Sequence, residues 1–128
     1  YLQLFIVFIQ FNKMAFSKSD EFSPDLQNIS VFTKALSHPA RLSILIELSK
    51  QKKTFCGELV SILPLAQSTV SQHLKELVKG GLVNVSQMGT NMAYSINKRQ
   101  LKVLLTQLED NFSIIFKNIK KEKQSKNN

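Results

Sequence analysis

The stretch LPLAQSTVSQHLKELVKGGLVNV, residues 63–85, decides how the rest of the chain is read. Its apolar residues recur at threes and fours, so Val70, Leu74, Leu77 and Val78 share one face of a helix from about Gln67 to Lys79. Its front carries Gln67, Ser68, Thr69, Ser71, Gln72 and His73, with no acid among them. Pro64 closes whatever precedes this helix, and Gly80-Gly81 ends it, because glycine tolerates the left-handed cap geometry. The pattern predicts a helix with two faces. One face meets a core. The other offers short hydroxyls and amides that reach phosphate oxygens and base edges, beside the positive end of the helix dipole. A glutamine can pair with adenine through two hydrogen bonds, and the Thr69 methyl can meet a thymine methyl.

Upstream, Leu26, Ile29, Phe32 and Leu36 mark a helix from Asp25. "SHP" then breaks the chain, with Pro39 suited to the first turn of a second helix and Ser37 or His38 to its cap. Leu42, Leu45 and Leu48 line one side of that helix, and "KQKKT" is a polar connector. Phe55, Leu59 and Ile62 mark a short third helix. After Gly81 the period changes to two. "LVNVSQ" and "MAYSIN" alternate, which predicts a β-hairpin turning around residues 89–91.

A last amphipathic helix carries Leu101, Leu104, Leu105, Leu108, Phe112, Ile115, Phe116 and Ile119. About twenty residues at roughly 1.5 Å each give a stripe of roughly 30 Å. A small domain needs less for its own core, so the expected use is a homodimer seam. The residues expected there are Ile29, Phe32, Leu101, Leu104, Leu105, Leu108, Phe112, Ile115 and Phe116. The other reading is that the helix simply lies across its own domain.

The chain has 128 residues, 43% of them hydrophobic, enough for one domain with a core. Its formal charge of +8 favours polyanionic partners, nucleic acid above all. Half of that excess sits in the last twelve residues, so charge alone says little about the folded part. The single Cys56 cannot form an intramolecular disulfide and suits a reducing, cytoplasmic setting. The apolar run over residues 1–13 falls short of the roughly 20 residues of a spanning helix and lacks the basic start of a secretory signal. It is expected to be upstream sequence, with the native start at Met14 and no membrane partner. The expected organisation is a flexible lead over 1–24, a DNA-binding domain with dimerisation helices over 25–119, and a basic disordered tail over 120–128.

Four helices, a hairpin and a last helix make the order α-α-α-α-β-β-α, mainly α with a small β-hairpin, the order of a winged helix-turn-helix. At this point "ALSHPARLSIL" followed by "LAQSTVSQHLKELVKGGLV" resembles the ArsR/SmtB-type family of bacterial transcriptional repressors, over roughly residues 29–97. The resemblance implies a winged helix dimerised through its first and last helices. It implies a sequence-specific regulator, expected to be a repressor, on a near-palindromic operator in double-stranded DNA. Gln67, Ser68, Thr69, Ser71, Gln72, His73 and Lys75 fall on the family's recognition helix, and Gly89, Thr90 and Asn91 at its wing tip. Two departures stand out. Ala66 occupies a position that is often Ser in the family, so a cap of about 1 kcal/mol is missing. The wing tip also lacks the arginine of many relatives. Both departures motivate an alternative, a winged helix that contacts proteins and has lost specific DNA binding.

Many such regulators release DNA on binding a metal ion. The thiol-rich site of the family would fall at "TFCGEL", which holds one cysteine where a soft metal needs two or three. The other family site would fall on the last helix, where Glu109 and Asp110 point about 100° apart and no histidine accompanies them. No metal or cofactor is therefore expected. Cys56 reads as a small buried apolar residue, with a redox sensor as the alternative. His38 reads as a cap, Arg41 as a structural ion pair or carbonyl clamp, and His73 as a donor to a backbone group or phosphate. There is no glycine-rich phosphate loop, metal set or nucleophile-base pair, so no enzyme is expected.

Overall fold

The structure, a computed structural model, describes residues 21–126; the apolar run 1–13, Met14 and most of the expected lead lie outside them. The elements are α1 (Pro24–Ala35), α2 (Pro39–Ser49), β1 (Thr54–Phe55), α3 (Cys56–Ile62), α4 (Gln67–Lys79), β2 (Val83–Met88), β3 (Asn91–Ile96) and α5 (Lys98–Lys126).

Local chemistry sets most helix starts. Pro24 and Pro39 open α1 and α2, where their missing N–H is no loss. Ser23 Oγ accepts from Leu26 N–H at 3.4 Å, and His38 Nδ1 accepts from Ala40 N–H at 3.1 Å, as expected for His38. Glu58 reaches back to the Phe55 N–H at 3.3 Å, and Asn97 Oδ1 accepts from Gln100 N–H at 3.1 Å to start α5. Helix α4 begins at Ala66 with no side-chain cap.

The end of α4 is fully satisfied. Gly81 has φ +75°, its N–H reaches the Val78 carbonyl at 3.0 Å, and the Leu82 N–H reaches the Leu77 carbonyl at 3.0 Å. This is the Schellman arrangement, sealed by two leucines that are both fully buried. It turns the chain straight into β2. Strands β2 and β3 then pair antiparallel from Val83↔Ile96 to Met88↔Asn91 around a two-residue turn, in which Gly89 has φ +62°. Glycine at the first turn position with no positive φ at Thr90 matches the II′ hairpin turn.

The core gathers Phe32 of α1, Ile44, Leu45 and Leu48 of α2, Leu59 of α3, Val70, Leu74 and Leu77 of α4, Leu82 and Val83 at the start of the wing, and Leu104 of α5. Several expectations need correction. The sheet has three strands in the order β1-β3-β2, because Thr54 and Phe55 pair with Tyr94 and Ala93. Phe55 therefore belongs to a strand and not to the third helix. Leu42 is 52% exposed, and Ile44 takes the core position beside Leu45. Phe32 and Leu104, expected at a dimer seam, are 1% and 2% exposed within this one chain and so are core residues. Helix α5 runs on through Lys126, well into the expected disordered tail. Lysine, glutamate and glutamine are good helix formers, and the Lys126–Glu122 pair at 2.7 Å spans one turn there.

One close approach fixes α1 against α4. A Cβ added at Gly80 would stand 2.5 Å from the Ala35 Cβ, which is buried and cannot swing away. Gly80→Ala should therefore lower stability by about 1–3 kcal/mol, the usual range for overpacking. Urea unfolding reads this directly, and a midpoint equal to that of the parent chain would contradict the close packing.

Candidate nucleic-acid interface

Helix α4 is held by one stripe and free on the other. Val70, Leu74 and Leu77 are each 0% exposed. At roughly 1.5–3 kcal/mol per buried side chain, the stripe fixes the rotation of the helix about its axis. With that rotation set, Gln67, Ser68, Gln72 and Lys75 are exposed, while Thr69, Ser71 and His73 are half-buried. The expected polar face is thus a real face on the surface.

Its groups are uncommitted. Thr33, Ser37, Ser49, Ser61 and Thr106 each donate to a carbonyl three or four residues back. Among the described residues, no such bond engages Ser68, Thr69 or Ser71, nor does Gln67 or Gln72 have a side-chain partner. The backbone behaves the same way. Thr69 and Val70 both donate to the Ala66 carbonyl at 3.0 Å, whereas the N–H groups of Gln67 and Ser68 have no partner among the described residues. With no side-chain cap at Ala66, the front of α4 presents bare N–H donors and the positive end of its dipole.

The wing tip of Gly89, Thr90 and Asn91 is exposed at the far end of β2 and β3. Gln87 Nε2 donates to the Gly89 carbonyl at 3.4 Å. Although the tip has no arginine, Lys53 brings its ammonium 4.0 Å from Met88 Sδ, beside the turn. The sequence reading missed this cation, because Lys53 reaches the wing through the pairing of β1 with β3. That pairing rests on two residues and carries no periodic signal.

The second layer holds α4 to α2. Arg41 is only 13% exposed; its Nη1 lies 3.9 Å from Glu76 Oε2 and its Nη2 donates to Ser37 Oγ at 3.4 Å. This suits the structural role expected of Arg41. The His73 ring lies against His38, centroid to centroid 4.5 Å with planes tilted by 36°. Burial first, then the charges of His38 and Arg41, hold the His73 imidazole below the ordinary histidine range. Burial alone pushes the Cys56 thiol up, away from the thiolate that redox sensing uses. No group of three or more His, Cys, Asp or Glu able to hold a metal ion occurs among the described residues.

The expected dimer residues divide. Leu101 and Leu108 pack on the chain's own core, and Ile29 is half-buried. Leu105, Phe112, Ile115 and Phe116 remain 45–59% exposed, and so does Ile119, one turn beyond the last of them. Val103 and Ile114 are also exposed. They lie eleven residues apart, hence on one line along a helix, away from the line of Phe112 and Phe116. No described helix is long and apolar enough to cross a membrane.

Comparison with known proteins agrees with this architecture. The family described as bacterial regulatory protein, arsR family, matches residues 38–85, which span α2, α3, α4 and the start of the wing. The transcriptional repressor PagR of Bacillus anthracis is 35% identical over 80 residues, covering 62% of this chain and 80% of that protein. An ArsR-like transcriptional regulator from Rhodococcus sp. RHA1 superposes with a TM-score of 0.68 at 24% identity, over 77% of this chain and 92% of that one. A homodimeric winged helix-turn-helix DNA-binding domain from Mycobacterium bovis, a possible ArsR-family regulator, superposes with a TM-score of 0.57 at 26% identity, over 67% of this chain and 81% of that one.

The lowered affinity of His73 for a proton has a defined consequence for stability. The unfolded chain binds that proton at an ordinary pKa of about 6.5, and the fold resists it. The contribution is fully present above that pH and is lost as pH falls from there toward the lower folded value. Urea midpoints at pH 7.5 and 5.5 should therefore drop more for the parent chain than for His73→Phe. Equal drops would contradict the assignment.

Proposed function

The chain belongs to the arsR family of bacterial regulatory proteins, and on that premise we propose that it is a homodimeric, sequence-specific DNA-binding repressor. The observation that carries the reading is the two-faced α4. Val70, Leu74 and Leu77 are sealed in the core, while Gln67, Ser68, Gln72 and Lys75 are exposed, with no side-chain partner among the described residues. In this proposal Ser68, Thr69 and the free N–H groups of the first turn hold phosphate, and Ser71 and Gln72 read base edges in the major groove. Gly89, Thr90 and Asn91 bring the wing to the neighbouring backbone, with Lys53 in place of a wing arginine. His73 lies toward α2 and takes no base contact.

The outer half of α5 supports the homodimer. From Phe112 onward every described residue is exposed, including Phe112, Ile115, Phe116 and Ile119. An apolar stripe of this kind left bare on one chain marks an association surface. In the dimer the two copies of α4 stand about one DNA turn apart, roughly 34 Å, and meet a near-palindromic site. PagR is named a repressor, which supports repression as the outcome of binding.

Ser71→Ala or Gln72→Ala should weaken binding to a DNA duplex selected by the parent chain by roughly 1–3 kcal/mol per lost base contact, with thermal unfolding unchanged. Parent binding should also weaken steeply with salt. Two variants binding as tightly as the parent would remove these residues from the site, and the absence of any selected sequence would favour a protein-contact module. Phe112→Glu combined with Phe116→Glu should give a monomer in analytical ultracentrifugation while the parent sediments as a dimer. A parent that is monomeric at tens of micromolar would overturn the dimer.

A further inference from the structure

We infer that His38 and His73 form a ring clamp that seats the recognition helix, so that His73 is a positioning residue and not a DNA contact. This deepens the function proposed above and rests on it for the DNA-binding arm of its test.

The two imidazoles come from different elements. His38 ends the loop before α2, and His73 sits midway along α4. Their centroids are 4.5 Å apart, within the range of an aromatic pair. His38 is held from behind. Its Nδ1 is spent on the Ala40 N–H at 3.1 Å, which fixes the ring plane, and Pro39 follows it and limits the backbone. A ring immobilised by a helix cap is a suitable abutment for a neighbouring element.

His73 lies one residue before Leu74 and three after Val70, the two anchors that seat the middle of α4. The clamp therefore acts at the border between the sealed stripe and the polar face. It restrains the roll of the helix that would carry Gln72 away from its outward position. Arg41, itself held by Ser37 at 3.4 Å, adds a second tie to α4 one turn further along, through Glu76 at 3.9 Å. That ion pair is long and Glu76 is partly exposed, so its own contribution is small. The charged and titratable groups recorded around His73 are His38 and Arg41 from the α2 side, with Glu76 on its own helix. Partial burial first, then the electrostatic influence of His38 and Arg41, lowers the affinity of the His73 ring for a proton, which favours the uncharged form that suits stacking.

The test separates the ring from the cap and from a direct DNA contact. Asparagine is a good N-cap, so His38→Asn keeps the start of α2 and removes only the ring. His73→Phe keeps a ring and removes both nitrogens, whereas His73→Ala removes everything. NMR titration of the full chain should show the His73 imidazole moving up toward the ordinary histidine range in His38→Asn, and an unmoved value would overturn the contact. Against a duplex selected by the parent chain from a random library, His38→Asn and His73→Ala should bind roughly threefold to tenfold more weakly, the worth of an aromatic pair. His73→Phe should stay within about twofold of the parent. Loss of binding in His73→Phe equal to that in His73→Ala would show that the nitrogens touch DNA and would overturn the clamp. Failure of the parent to select any sequence would instead refute the DNA-reading proposal, and the NMR titration would still decide whether the ring contact exists.

Discussion

The rotation of α4 about its own axis is the constraint on which the rest depends. A helix advances about 100° per residue, so a roll of that size would bury Ser71 and expose Val70. Val70, Leu74 and Leu77 are fully buried, and each resists such a roll by about 1 kcal/mol or more. Everything useful on the polar face follows from this. Gln67, Ser68, Gln72 and Lys75 project outward because the opposite stripe has a single place to go. The Schellman turn at Gly81 fixes the helix lengthwise, and the absent side chain at Gly80 lets α1 approach its end. The Arg41–Glu76 pair and the imidazole contact add local restraint on the side where the core thins out.

The uncapped start of α4 fits the same design. A serine at position 66 would occupy one of the free N–H donors of the first turn and add about 1 kcal/mol. Alanine leaves those donors open, as the proposed phosphate contact requires. The helix is otherwise stable enough to bear the loss, being anchored by three buried residues and terminated by a complete hydrogen-bonded turn. A site that sacrifices a little folding energy so that its polar groups stay unpaired is a common bargain in binding proteins. The same features make the protein-contact alternative unnecessary to explain Ala66.

Much of this was legible from residue order alone, and the reasons are physical. The face of α4 could be read because Val70, Leu74 and Leu77 repeat at helical spacing and Gly80-Gly81 marks the stop. The hairpin could be read because the period switches to two on either side of Gly89. Strand β1 could not be read, since two residues carry no period and the pairing of Thr54 with Tyr94 is distant in sequence. The inner face of α2 was misplaced because that helix is apolar nearly all round, which leaves Leu42 and Ile44 equivalent until the neighbours are known. The α5 stripe hid a division. Leu104 belongs to the core while Phe112 and Phe116 overhang it, and spacing alone cannot say where a domain ends beneath a continuous apolar line. The His38–His73 contact joins two segments far apart in the chain and left no mark in either.

The most direct test is a map of the surface that DNA covers. Backbone amide shifts of the isotope-labelled full chain should be followed while a duplex selected by that chain is added. The largest changes should cluster at residues 67–72 and 89–91, with the exposed outer face of α2 around Leu42 and Ile46 unaffected. Changes centred on α2 or α5, with the front of α4 silent, would contradict it.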